Sequence, residues 1–523
     1  MSRKTKIDLI WITLLSLLVQ LFWAARMPHP TYFDAYYYSI NGRQLATGQG
    51  WTEPVIWQYL DAPTALPTDS HTYWMPLTSI VAAGGHMLAG DGFRAAQLPF
   101  VLLTTTLPLL AYAIARHLSR ERWAARTAAF FTMAGGYYAG QWNQPSTFAL
   151  FAWVAGGGLL ALGLALENKR PNKLLFVAGL LAGLSHLTRA DGLLLLAVGL
   201  LLLLMIKEVG LLAKTRLLAV YVGGYLLVMG GWFIHLWRVT GRPLSTVGTQ
   251  TMFLTTYDDT FAYGRKFTLQ SYLEWGIENI VRSKLTAVSL SFQTFIAVTG
   301  VFFLSGFILW AWIKLGRAER TKLFLRPFTL YTIALFLSMT FIFTFPGQRG
   351  SLFHSSTALW PWAMALAAVG IGFVVEWIAK RLPHWQPEKS KPLFAALFVI
   401  IVFTISIVLS GTQPISSDEA DLYEQLAAQM GDGERVMLGD PLAFYYHTGI
   451  PAVVLPNEPP EVVLEAMAQY DIDILLLDPD HVQPMADLYA GKISVPELER
   501  MQTVPITTTE GAIGELQWYR RVK

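Results

Sequence analysis

The sequence predicts an α-helical polytopic membrane protein of about 11 spans with a small C-terminal α/β domain. Three observations predict it. The 523-residue chain is 53% hydrophobic and only 14% charged, with a mean hydropathy of +0.41, which is too apolar for an ordinary soluble protein. Its apolar residues fall in blocks of about 20, the length that crosses a bilayer as helix. From about residue 413 the pattern changes to short apolar runs alternating with helical stretches, the signature of a parallel α/β unit. The chain has no cysteine, which excludes disulfides, thiolate metal sites and cysteine nucleophiles.

The predicted spans are residues 7–27, 93–118, 123–139, 147–166, 174–187, 193–206, 217–237, 285–313, 327–345, 352–378 and 392–411. The first follows a basic hexapeptide. Its apolar run exceeds a signal-peptide core and no A-x-A site follows, so it is read as a retained helix. Residues 76–88 are too short to cross and are read as a helix lying at the interface. Every predicted inner connection is then basic: Arg3, Lys4 and Lys6; Arg116, Arg120, Arg122 and Arg126; Lys169, Arg170 and Lys173; Lys207, Lys214 and Arg216; Lys314 to Arg326; and Lys380 to Lys391. The short opposite turns carry Arg189 alone or Arg349 alone. By the positive-inside rule the N-terminus is expected in the cytoplasm and the C-terminal domain outside the cell membrane.

The expected organisation is a membrane domain over residues 1–412, with an interfacial first outer loop at 28–92, and an extracytoplasmic domain over 413–523. In the latter, strands at 435–438, 452–455 and 472–477 alternate with helices at 442–447 and 461–470. Residues 513–522 are expected as an edge strand. Glycines inside spans (Gly179, Gly183, Gly223, Gly224, Gly230 and Gly231) are expected to allow close helix packing. No internal repeat stands out.

The first outer loop combines Asp34, Glu53, Asp61, Asp69 and His71 with Trp51, Trp57, Tyr59 and Tyr73, a composition suited to the membrane–water boundary. The polar residues hardest to assign to packing are all predicted at this outer face: Asp34, His71, Gln144, Arg189, Asp191, Asp258, Asp259, Arg349 and His354. Asp34 could accept a proton from a hydroxyl, or cap the helix that starts at Ala35. Arg189 could grip a phosphate or be satisfied by Asp191. Arg349 and His354 flank the glycine-containing turn 346–351, where an arginine could hold a phosphate in bidentate fashion or reach the headgroups. His71 could assist Asp34 or make a structural hydrogen bond. Residues 239–284 are read as a mobile outer segment in which Asp258 and Asp259 are solvated. The pair Asp471 and Asp473 is read as structural. No Walker, zinc-type, nucleophile-elbow or dinucleotide motif is present.

The order of the short motifs resembles that of a known family. A basic N-terminus and one span precede Asp34 and Tyr36, then Gly42 to Gly50 (GRQLATGQG), then Trp74-Met75-Pro76-Leu77, with Leu187-Thr188-Arg189-Ala190-Asp191-Gly192-Leu193 further on. Over about residues 1–380 the chain resembles the GT-C superfamily of membrane glycosyltransferases, on the branch of protein O-mannosyltransferases and lipid A aminoarabinose transferases. The resemblance implies a polyprenyl-phosphate-linked sugar as donor substrate and a glycan, lipid or protein acceptor, with membrane lipid around the helices and no nucleic acid. It implies Asp34 as the catalytic aspartate of the first loop. It implies Arg189, Arg349 and His354 as candidates for the donor phosphate; His71, Gln144 and Asp191 are substrate-binding candidates by their expected place at the outer face. Ala35 and Gln144-Pro145-Ser146 depart from the acidic residues many relatives carry there. No metal ligand is assigned, no cofactor is certain, and use of a divalent metal stays open. A transporter or flippase of a lipid-linked sugar, and a membrane-anchored binding protein, are the alternative readings.

Overall fold

Each of the eleven apolar segments folds as helix in the computed structural model, which describes residues 2–207, 209–245, 247–382, 384–411, 417–507 and 513–522. The expected domain boundary at 412–413 lies outside them. Among the described residues seven helices are long and apolar enough to cross a bilayer: Arg3–Ala25, Phe93–Ser119, Thr147–Glu167, Leu211–Thr240, Lys322–Ile342, Thr344–Ala379 and Pro387–Ser410. This is a multi-pass membrane protein. Three of the remaining segments form the helices Arg122–Ala134, Asn172–Thr188 and Leu193–Leu204, each shorter than the roughly 20 residues of an upright crossing. The segment expected as one span at 285–313 is instead Ile277–Gly300 followed by Ser305–Arg317, bent by 86°. The backbone turns there because Val301 and Phe302 adopt φ of 45° and 59°, a left-handed conformation that breaks the helical ladder.

The chain forms two compact units. The helical unit comprises Met1–Pro28, Trp74–Leu244 and Val281–Gln413. One end of its helices is tied by ions. Asp8, only 4% exposed, accepts from Arg122 at 2.8 and 3.0 Å, from Arg126 at 2.5 and 3.0 Å and from Tyr112 at 3.1 Å. Lys391 pairs with Glu376 at 2.9 Å and Glu121 at 3.5 Å, and His117 with Glu167 at 2.9 Å. A buried carboxylate survives in such surroundings only with several donors around it.

Glycine packing is confined to part of the predicted set. A methyl on Gly179 would sit 2.1 Å from the Tyr221 carbonyl oxygen, and one on Gly224 would sit 2.5 Å from that of Phe176. The helices Asn172–Thr188 and Leu211–Thr240 therefore touch backbone to backbone, whereas Gly223, Gly230 and Gly231 face open space. The helix Leu77–Ala89 makes the same kind of contact, since a methyl on Gly85 would meet the Ala95 carbonyl at 2.3 Å.

The second unit comprises His29–Tyr73, Ser245–Ile280 and Pro414–Lys523. Its six-stranded sheet has the order Val55–Ile56, Ala452–Val454, Val436–Leu438, Ile474–Leu477, Ile513–Arg521, Leu498–Thr507. The first four strands are parallel and the last two antiparallel. Two features differ from the sequence expectation. The strand Val55–Ile56 comes from the first outer loop and pairs in register with Ala452 and Val453. Ile513–Arg521 is an inner strand, and Leu498–Thr507 takes the edge outside it. Ile56, Tyr59 and Leu66 share one apolar core with Met437, Val453, Val463 and Leu475. The Tyr59 hydroxyl donates to the Val454 carbonyl, and the Tyr470 hydroxyl to that of Pro63 at 2.8 Å.

The stretch expected to be mobile is built into this unit. Asp259 is 3% exposed, and its Oδ2 accepts from the Thr255 amide and hydroxyl at 2.8 Å each and from the Thr256 amide at 3.0 Å. Its Oδ1 faces Arg265 at 3.3 Å, and Arg265 also meets Glu458 at 2.5 Å. Asp259 is therefore a buried staple, not a solvated charge. Asp473 is likewise structural, its Oδ2 accepting from the Arg435 amide at 3.3 Å.

The glycine contacts give a direct prediction. Gly179→Ala forces the two backbones apart and lowers stability by about 1–3 kcal/mol, the usual cost of overpacking. Gly223→Ala has room and is neutral or slightly stabilising. Thermal unfolding of the two purified variants in one detergent measures the difference.

Candidate functional site

Asp34 lies in the first turn of the helix Phe33–Ala46. The cap is Tyr32, so the expected capping role for Asp34 at Ala35 is corrected: the carboxylate sits inside the turn, where the helix dipole favours negative charge. It is half-buried, while Ala35 to Gly42 behind it are buried. Aromatic residues hold this helix from two sides. The Tyr36 hydroxyl is 3.2 Å from His447 Nε2 and 3.3 Å from His29 Nδ1, with Tyr446 edge-on at 5.2 Å. Tyr37 packs edge-on against Trp57 at 5.9 Å and His71 at 5.3 Å, and Trp57 stacks on Tyr73 at 5.4 Å.

His71 is 2% exposed with φ of 60°. Its amide donates to the Tyr37 hydroxyl oxygen at 2.9 Å, and its Nδ1 lies 2.8 Å from Ser70 Oγ. The histidine thus fixes the Asp34 helix through Tyr37. Glu53, which sequence reasoning did not single out, is 6% exposed beside Tyr37 and Asn41, whose Nδ2 is 3.5 Å away. Burial first, then the charge of Asp61, push its carboxyl well above the usual carboxylate range. Burial also raises Asp61, against hydrogen bonds from Thr72 and Gln58. Burial lowers His447 to about 4, so its ring is neutral at physiological pH.

In the helical unit a second set of candidates meets at Thr147, the first residue of the helix Thr147–Glu167. Its hydroxyl oxygen lies 3.4 Å from Arg189 Nη1 and 3.2 Å from His354 Nδ1. Arg189 Nε donates to Asp191 Oδ1 at 3.0 Å, and its guanidinium lies over the Phe151 ring at 5.9 Å. His354 stacks on Phe148 at 4.1 Å. The other Asp191 oxygen, Oδ2, is buried with no hydrogen-bond partner among the described residues, and so is the Tyr331 hydroxyl, whose electrostatic neighbours are Asp191 and Arg189. Helix ends explain the convergence: Arg189 caps Asn172–Thr188, and His354 follows the wound turn Gly347–Ser351 that enters the next helix.

Arg349 is exposed on that turn. Gln144 is fully buried, its Nε2 donating to the Gly140 carbonyl at 3.3 Å, a turn-closing role. Thr147 and Tyr331 carried no sequence signal, because a threonine and a tyrosine in apolar helices read as packing. Among the described residues no three His, Asp or Glu side chains come together in a way that could hold a metal ion.

With this geometry in hand, similarity to known proteins can be placed. Over 100% of this chain and 99% of the other, the structure superimposes on ArnT from Cupriavidus metallidurans in the apo state with a TM-score of 0.63, at 13% identity. The chain has the fold of the GT-C glycosyltransferase superfamily. The same ArnT bound to undecaprenyl phosphate matches at 0.60, with 13% identity over 99% and 98% of the two chains. The archaeal oligosaccharyltransferase AglB from Archaeoglobus fulgidus, in complex with an inhibitory peptide and a dolichol-phosphate, matches at 0.56, with 11% identity over 100% of this chain and 75% of that one. A family described as dolichyl-phosphate-mannose-protein mannosyltransferase matches residues 70–235, a segment of the GT-C fold that includes Thr147, Arg189 and Asp191. No curated protein matches the chain in sequence.

The buried acid gives a pH prediction. Folded Glu53 holds its proton more tightly than the unfolded chain does, so its stabilising contribution is complete below the unfolded value of about 4.3 and is lost as pH rises through the folded value. Across that window the loss is about 1.4 kcal/mol per pH unit. Glu53→Gln removes this loss. As pH rises above about 4.3 the wild-type melting temperature falls relative to that of the variant.

Proposed function

We propose that this protein moves a sugar from a polyprenyl-phosphate-linked donor to an acceptor hydroxyl at the outer face of the cell membrane. The observation that carries the reading is the end-to-end match to a fold crystallised with undecaprenyl phosphate, joined to a cationic knot at Thr147 on the helical scaffold. The N-terminus is taken to be cytoplasmic and residues 413–523 extracytoplasmic, as the basic connections require.

In the reaction Asp34 accepts the proton of the acceptor hydroxyl as its oxygen attacks the anomeric carbon. The bond from that carbon to the phosphate oxygen breaks, and the electron pair leaves with polyprenyl phosphate, which gains one negative charge. Arg189 offsets that charge: a guanidinium set in apolar surroundings acts more strongly on a phosphate than one in water. Asp191 orients the guanidinium by holding Nε, leaving its other face toward Thr147 and His354. No acid is needed, because the leaving group is already a stable anion. The aromatic grip on the helix Phe33–Ala46 keeps Asp34 in place without a flexible loop.

Asp34→Asn, which keeps size and hydrogen-bonding capacity but not basicity, lowers release of polyprenyl phosphate about 10²–10⁴-fold with folding intact. Undiminished release by the folded variant removes Asp34 from the chemistry. Arg189→Lys keeps the charge but loses the planar fork. It reduces turnover per folded molecule at saturating donor, with the folded fraction read from the melting curve. A panel of polyprenyl-phosphate sugars, read out as released carrier, identifies the sugar.

A further inference from the structure

At the opposite end of the helix Thr147–Glu167 from the Arg189 knot lies a cavity of about 640 Å³. A 21-residue helix is roughly 30 Å long, so the two places stand a bilayer core apart. The cavity walls carry Arg116, Arg120 and Arg320, with His117, Glu167 and Glu319. Both carboxylates have partners of their own: Glu167 lies 2.9 Å from His117 Nε2, and Glu319 pairs with Lys322 at 2.6 Å. Arg320 donates to the carbonyls of His117, at 3.0 Å, and of Leu118, which positions its charge without neutralising it. Arg116 Nη1 is buried and has no hydrogen-bond partner among the described residues. Arg120 stands at the rim with φ of 62°, a left-handed position that glycine usually fills at a helix C-terminus.

Three guanidiniums against two carboxylates leave the walls with an excess of positive charge, and among the described residues none supplies an acceptor to Arg116 Nη1. We infer that this cavity binds a phosphate-bearing anion, held by Arg116 and Arg120. The positive-inside pattern puts it at the cytoplasmic leaflet, where anionic phospholipids offer phosphodiester headgroups to basic pockets between helices. The volume lies within the range of small-ligand sites and exceeds what one inorganic phosphate fills. His117, stacked on Phe324 at 4.0 Å, walls the inner side with an aromatic surface that also suits a headgroup bearing an apolar stem.

The test uses the full chain in nanodiscs of phosphatidylcholine, with or without a minor fraction of phosphatidylglycerol, and inorganic phosphate as a separate addition. Native mass spectrometry reads retained lipid, and thermal unfolding reads stabilisation. Wild type retains phosphatidylglycerol and is stabilised by it, whereas Arg116→Gln/Arg120→Gln loses retention by about tenfold or more, the weight of a charge-assisted hydrogen bond. Stabilisation of wild type, but not of the variant, by inorganic phosphate alone supports the same site with a soluble ligand. Arg120→Gln alone changes only an exposed side chain and keeps the test open if the double variant does not fold; it gives a smaller loss of the same sign. Equal lipid retention and equal phosphate response in wild type and in the folded variants overturn the inference.

Discussion

A guanidinium at the end of an apolar helix must be compensated, and the arrangement around Arg189 follows from that requirement. Placing the cation there costs several kcal/mol unless donors and acceptors meet it. Asp191 meets one edge, the Phe151 face another, and Thr147 links it to His354. Three helices are brought together by these contacts: the one Arg189 caps, the one Thr147 begins and the one His354 enters. The close packing of Gly179 against Tyr221 and of Gly224 against Phe176 belongs to the same construction, because it fixes the helix that delivers Arg189.

The second unit shows how the segment after the first span holds the helix that carries Asp34. Residues 29–73 contribute a strand, three core side chains and several hydrogen bonds to the same sheet and core as the C-terminal residues. Tyr36 and Tyr37 clamp the Asp34 helix from two directions. A truncation at residue 413 therefore does more than remove a separable binding module. It strips Val55–Ile56 of its partner strand and Tyr59 of its acceptor, so loss of activity after such a deletion would not separate a transferase from a binding protein.

Helical content was legible because long apolar runs admit few alternatives in a bilayer, and four strands of the six-stranded sheet because short apolar runs alternate with amphipathic helices or, at 513–521, with polar residues; the edge strand Leu498–Thr507 was missed. The long-range pieces were not legible. Val55–Ile56 is two residues long, too short for any periodicity, and its pairing spans most of the chain. The break at Val301 and Phe302 directly follows Gly300, but a glycine in an apolar run also reads as a close-packing position and does not by itself announce a bend. In the candidate site, Arg189 and Asp191 were visible as charges in a greasy context and do pair. Thr147 was invisible, because its importance lies in what two distant residues do to it. Asp259 misled for the opposite reason: a charged residue in a polar stretch looks solvated until its amide partners are seen.

The central claim is that the knot of Thr147, Arg189 and His354 receives the phosphate of a lipid-linked sugar. Photo-crosslinking of the purified protein with a photoreactive polyprenyl-phosphate sugar, followed by peptide mapping, tests it most directly. The account predicts labelled peptides containing residue 147, 189 or 354, with labelling suppressed by unlabelled donor. Labelling confined to helices remote from these residues, and competed equally well by unlabelled donor, would contradict it.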